Sequence, residues 1–235
     1  MTSTDSASAE RRRPLVVAID GPAASGKSST AKWVARELGF RHVDSGSLYR
    51  AATAAALRRE PHSGNWTEAL VLEAAARSVS LHPAETSFHT YVDGVDAEME
   101  LRGHDVTSRV SIVARMPRVR EWVNHKVREA AEGSPVVVDG RDMGTAVFPR
   151  ARVKIFLVAD PWERAKRRLV QRLARQPSEE EIAEETDALV QRDVKDEAQT
   201  QRAADAVIID TTYLTQEEQV DRIVALAKRA QRSGG

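Results

Sequence analysis

A short apolar run, Pro14 to Asp20, leads directly into Gly21-Pro22-Ala23-Ala24-Ser25-Gly26-Lys27-Ser28, which fits the pattern G-x-x-x-x-G-K-S/T. The run is rich in β-branched residues and reads as a buried parallel strand. The pattern then opens a predicted helix over residues 27–38, which Gly39 stops. Strand, glycine loop and helix in that order are what a phosphate cradle requires. Glycines let backbone N–H groups converge on phosphate oxygens with no Cβ in the way. The helix N-terminus adds partial positive charge. Lys27 then supplies a mobile cation for the β- and γ-phosphates of a nucleoside triphosphate, and the Ser28 hydroxyl is placed to hold Mg²⁺.

The rest of the chain alternates strands with helices. Residues 41–44 read as a strand and 45–58 as a helix; Pro61 to Gly64 is a turn cluster. Residues 78–101 break into short alternating runs around Asp93-Gly94, a hairpin signal. Helical spacing returns over 119–131. Strands are expected at 136–138, 153–158 and 207–209, with an amphipathic helix last. A highly charged helical stretch, 161–195, contains a capping box at Ser178 and Glu181. This order predicts an α/β three-layer sandwich with a central parallel sheet. The expected core is 14–60, 117–160 and 200–235, with a small insert at about 61–116 and a helical lid at about 161–199.

Composition narrows the classes. Lys plus Arg and Asp plus Glu are 35 each, so an extended nucleic-acid backbone is a poor partner. There is no cysteine, which excludes disulfides, thiol nucleophiles and cysteine-bound zinc. No apolar stretch approaches the roughly 18 residues that span a bilayer. Residues 1–13 lack the apolar core of a signal peptide and read as a disordered tail. The expectation is a cytoplasmic monomer acting on small molecules, with neither nucleic acid nor membrane as partner. The N-K-x-D guanine signature of a GTPase is absent; Asn124-His125-Lys126 does not fit it. The six histidines show no metal-site spacing and read as incidental.

Three further clusters fall where this architecture places ligands, beyond the carboxyl ends of strands. Asp44-Ser45-Gly46 with Tyr49-Arg50 follows the second strand, and Asp139-Gly140-Arg141-Asp142 follows another. Each could equally be solvated turn charge. Arg164, Arg167, Arg168, Arg172 and Arg175 recur at steps of three or four, apart from the adjacent pair Arg167 and Arg168, and read as sharing a helical face. That face is either a solvated partner for the acidic 179–185 stretch or a lid that carries guanidinium groups onto a triphosphate.

With these pieces in place the chain resembles the bacterial cytidylate kinases. The matching segments are AIDGPAASGKSS at 18–29, VDSGSLYR at 43–50, PRVR at 117–120, VVDGRDMGTAVFP at 137–149, VKIFLVAD at 153–160, ERAKRR at 163–168, RD-x-x-D at 192–196 and DAVIIDTT at 205–212. They occur in family order over nearly the whole length. The resemblance implies the P-loop nucleoside monophosphate kinase fold, with ATP as phosphoryl donor, Mg²⁺, and CMP or dCMP as acceptor. It extends the ATP-binding set from Gly21 through Ser29. It places Asp44, Ser45, Tyr49 and Arg50 around the acceptor nucleotide, with Arg50 and Arg141 on its phosphate. Ser111, Arg120 and Asp142 would read the cytosine, and Arg192 and Asp196 would hold the sugar. Arg164 and Arg168 would belong to the lid and, with Lys27 and Arg141, serve the transfer. Apart from the resemblance, Asp139 at the end of its strand reads as an outer-shell residue for the Mg²⁺ that Ser28 is placed to hold. Where the family has an arginine on the acceptor phosphate this chain has Gln199, for which Arg202 is the candidate substitute.

The chemistry of cytosine agrees. Its N4 amino group donates and its N3 and O2 accept, so a carboxylate such as Asp142 and a guanidinium such as Arg120 complement it. Uracil reverses two of these groups and would leave buried partners unpaired. Two other readings stay open on the residues alone. One is a kinase for UMP, dTMP or dephospho-coenzyme A. The other is a nucleotide-dependent switch that binds tightly, hydrolyses slowly and has a protein partner.

Overall fold

A computed structural model of the protein describes residues 14–61 and 65–233. The tail at 1–13 and residues 62–64 of the turn cluster lie outside the described residues. Five strands form the main sheet: β1 (Val16–Asp20), β2 (Arg41–Asp44), β6 (Val136–Gly140), β7 (Val153–Val158) and β8 (Val207–Asp210). Their order is β2-β6-β1-β7-β8 and every pairing is parallel.

A parallel sheet must be covered on both faces, and side-chain alternation sorts the residues. Val17, Ile19, Val137, Ile155 and Leu157 point to one face, covered by α1 (Lys27–Leu38) and α9 (Gln216–Arg232). Ala18, Val43, Val136 and Val138 point to the other, under α2 (Ser45–Arg59), α3 (Glu68–Ser78), α5 (His104–Val113) and α6 (Pro117–Ala130). The three-layer α/β sandwich read from the sequence is therefore the observed fold.

A three-stranded antiparallel sheet, β3 (Val79–Pro83), β4 (Phe88–Val92) and β5 (Val95–Asp96), packs beside α2. Its tight turn is Asp93-Gly94, both with positive φ (52° and 75°), the geometry that suits a two-residue hairpin loop. The one-turn helix α4 (Glu98–Leu101) leads back to α5.

The charged stretch is two helices, α7 (Pro161–Leu173) and α8 (Glu179–Asp196). Ala174 ends α7 in the left-handed conformation, φ 53°, and the capping box of Ser178 and Glu181 starts α8. Ala165, Leu169, Ile182 and Leu189 form a small apolar cluster of their own, closed by Ala23 of the glycine loop. No helix among the described residues is long and apolar enough to cross a membrane.

Candidate functional site

The carboxyl ends of β1, β2 and β6 lie side by side, and the parallel register aligns Asp44 with Asp139 and Asp20 with Gly140. The glycine loop leaves β1 at this edge. Gly21 has φ 150°, and a Cβ there would lie 2.3 Å from the backbone oxygen of Leu157, so only glycine fits. Gly26, at φ 89°, caps α1 with no side-chain hydrogen bond, which leaves the first N–H groups of the helix free for a ligand. Lys27 Nζ donates to Pro22 O at 2.6 Å, and Ser29 Oγ donates to Gly26 O at 3.0 Å. The Ser25 hydroxyl is buried without a partner. Crowding by protein pulls the Lys27 ammonium down to about 8, with Arg141 adding to the effect.

Asp139 ties this loop to the sheet. Its Oδ2 accepts from Ser28 Oγ at 2.6 Å, its Oδ1 lies 2.6 Å from His42 Nε2, and its backbone oxygen accepts from Ser45 Oγ at 2.8 Å. His42 is 6% exposed, so the reading of all six histidines as incidental is corrected here. Burial works against its charge, but the hydrogen bond and charge of Asp139 outweigh that and hold it above its ordinary value. A usable signal was present: a polar residue inside a buried strand must find a partner. Burial, then the charge of Asp139, raises Asp44, whose carboxylate caps α2 through the Ser47 N–H at 3.1 Å. Among the described residues no three His, Asp or Glu converge as a metal cage. The hydroxyl and carboxylate of Ser28 and Asp139 nonetheless suit a hard cation held mostly by phosphate oxygens and water.

The second half of the site is built of side-chain pairs from distant segments. Arg120, on α6, pairs with the Asp142 carboxylate and also donates to Ala114 O at 3.0 Å. Its guanidinium lies 5.8 Å from the centre of the Tyr49 ring. Burial pushes the Tyr49 phenol to about 12, and its hydroxyl is buried without a partner. Burial also raises Asp142, against the pull of Arg120. Arg141 pairs with Asp196 at 2.8 Å and donates to Thr200 Oγ1 at 3.2 Å; Arg192 lies 3.5 Å from the same Asp196 oxygen. Arg50 donates to Leu101 O and Thr107 Oγ1, both at 2.9 Å. Ser111 is half-buried on α5, which packs on α2. Gln199 has its Oε1 buried and unpartnered, whereas Arg202 is exposed.

The arginines expected to share one face of α7 are divided by the structure. Arg164 is 3% exposed and donates inward, to Ala23 O at 2.9 Å and Asp193 Oδ2 at 2.6 Å. Arg167 donates to Thr211 O at 2.5 Å and Thr212 O at 2.7 Å. Arg168 and Arg172 flank Glu185 at 3.3 and 3.1 Å, and Arg175 pairs with Glu181 at 2.6 Å. Sequence reasoning missed Asp20 as well as His42. Asp20 is 3% exposed and accepts from the N–H groups of Met143 and Gly144, each at 2.8 Å.

Comparisons with known proteins point one way. The family model described as cytidylate kinase matches residues 17–229. A cytidylate kinase from Geobacillus kaustophilus is 43% identical over 221 residues, 92% of this chain and 97% of that protein. One from Geobacillus sp. (strain WCH70) is 41% identical with the same coverage. One from Streptococcus pneumoniae serotype 4 is 38% identical over 222 residues, 92% of this chain and 99% of that protein.

Proposed function

The chain belongs to the cytidylate kinase family, and we propose on that footing that it moves the γ-phosphate of ATP onto CMP and dCMP, giving CDP and dCDP by direct in-line transfer. The observation that carries this reading is the meeting of two unlike half-sites at the end of β6. Asp139 touches Ser28 of the glycine loop, and the next residues but one, Arg141 and Asp142, make the ion pairs with Asp196 and Arg120.

Each half has a distinct task. The loop from Gly21 to Ser29 and the Lys27 ammonium receive the triphosphate. Arg50 and Arg141 hold the acceptor phosphate, while Asp44, Ser45 and Tyr49 wall its pocket. Arg120 and Asp142, with Ser111, read the cytosine, and Arg192 and Asp196 take the sugar. Ser28 and Asp139 would hold Mg²⁺, which when bound supplies neutralisation of phosphate charge. The acceptor phosphate has a second pKa near 6 and is already largely dianionic at neutral pH, so the transfer needs no general base. Alignment and charge stabilisation are what the protein contributes.

Residues 161–199 act as the lid and 61–116 as the acceptor-binding insert. In the lid Arg168 exchanges Glu185 for phosphate oxygens as the site closes and excludes water. Arg164 serves differently: buried against Ala23 O, it holds the lid to the back of the glycine loop.

The test is a panel of CMP, dCMP, UMP, dTMP, AMP and dephospho-coenzyme A with ATP and Mg²⁺. CMP and dCMP should exceed UMP in kcat/KM by at least about 10²-fold, since a pocket built to pair polar groups rejects their reversal strongly. Turnover of UMP or AMP as fast as CMP ends the acceptor assignment. ATP hydrolysis with no transfer to any acceptor favours the switch.

A further inference from the structure

We propose that Asp20, the last residue of β1, is a positioning residue that sets the base-reading turn and so determines specificity for cytosine. The inference rests on the reading of Arg120 and Asp142 as the pair that meets the base.

The turn after Asp142 is unusual in where its N–H groups go. Those of Thr145, Ala146 and Val147 all reach Asp142 O, at 3.2, 2.8 and 3.3 Å. The first two, Met143 and Gly144, point elsewhere and end on the two carboxylate oxygens of Asp20. Gly144 eases the approach: a Cβ there would lie 3.3 Å from both Asp20 Oδ2 and Lys154 Cδ, so one of them would have to give by a few tenths of an ångström. Met143 is 1% exposed and folds beneath Gly140, where a Cβ would come within 2.8 Å of it. The backbone of Asp142, at φ −147° and ψ 27°, is therefore fixed from both sides, by β6 before it and by Asp20 after it. The direction of its carboxylate toward Arg120 follows from that.

Asp20 also immediately precedes Gly21. One buried carboxylate thus joins the strand that presents the donor loop to the turn that presents the base reader. Its two acceptors matter as a pair. An asparagine has the same shape but turns one oxygen into a donor facing an N–H, which pushes that end of the turn away.

The experiment measures kcat/KM for CMP and for UMP, and KM for ATP, in Asp20→Asn, Gly144→Ala and Asp142→Ala, with a thermal melt on each. Asp20→Asn should narrow the CMP-over-UMP ratio by about tenfold, chiefly through KM for the nucleotide monophosphate, with KM for ATP shifted less than about twofold. Gly144→Ala presses on the same carboxylate from the other side and should move the ratio the same way by about threefold; it carries the test should Asp20→Asn not fold. A ratio that moves in Asp142→Ala but stays at the wild-type value in the other two overturns the role of Asp20 alone. A ratio unchanged in Asp142→Ala removes the base-reading assignment, and this inference with it. Equal losses for CMP, UMP and ATP in Asp20→Asn identify a merely structural residue.

Discussion

Around residues 21–29 the groups offered to a ligand belong to the main chain; around Arg120, Arg141 and Asp196 they belong to side chains brought from separate stretches of sequence. The loop depends on positive φ at Gly21 and Gly26 and on the open N-terminus of α1. The opposite bank depends on ion pairs, Arg120 with Asp142 and Arg141 with Asp196. A backbone cradle suits a triphosphate tail, which every nucleotide donor shares. Side-chain pairs suit a base, which must be told from its relatives. The two designs also differ in what a single substitution can remove: one side chain is a small part of the cradle but a large part of a pair.

Lys27 is the exception on the cradle side, and Lys27→Ala should show the largest effect, a loss of about 10²- to 10³-fold in kcat/KM. The melting temperature should hold or rise, because the fold disfavours this charge: crowding pulls it to about 8. Near-normal turnover in the variant would remove the phosphate-cradle reading.

Asp20 lies at the seam between the halves and gives a pH test of it. Burial raises its carboxyl from 3.8 to about 6 against the pull of the Gly144 and Met143 N–H groups. The folded state therefore binds this proton more tightly than the unfolded chain does. The stability it lends is full below about 4 and is lost as pH rises through 6. From pH 4 to 7 the stability of the protein minus that of Asp20→Asn should fall by about 2 kcal/mol, the free-energy equivalent of most of that pKa shift. Denaturant melts of both proteins across that range give the difference; a flat difference would mean that Asp20 is hydrated and the seam is open.

The same contrast explains what could be read from sequence. The cradle is contiguous, and strands β2 and β7 and helix α1 fall at their expected bounds because each is a local pattern ended by its own stop. The partners of the other bank are far apart along the chain: a polar residue in a buried strand signals that Asp20 and His42 need partners, but nothing local says that these are Gly144 and Asp139. Helix α3 went unread although Thr67 caps it, and α5 although Val106, Val110 and Val113 are spaced for one buried face. Each is only 10 or 11 residues long and adjoins strand-like alternation, so periodicity had too few turns to register. The split of the charged stretch at Ala174 was legible in part: Pro177 and the capping box at Ser178 and Glu181 announce a new helix, but alanine is the best helix former, so the left-handed end of α7 at Ala174 itself carried no local signal.

Arg141→Ala should give the smallest of these effects, and its size sharpens the contrast. Arg141 neutralises Asp196, but Arg192 lies 3.5 Å from the same carboxylate, so removal of one guanidinium leaves no buried charge alone. The fold should tolerate the change, with the melting temperature within a few degrees of wild type. Burial holds the Arg141 guanidinium below its ordinary value, Asp196 opposing, so it is a cation kept where charge is costly. On the proposed reading, a dianionic acceptor phosphate is the partner that offsets that cost. KM for CMP should therefore rise about tenfold, a change of ~1.4 kcal/mol, while KM for ATP moves less. Steady-state kinetics with each substrate varied in turn separates the two. A larger rise for ATP than for CMP would assign Arg141 to the donor's phosphates, and the acceptor bank would then begin at Asp142.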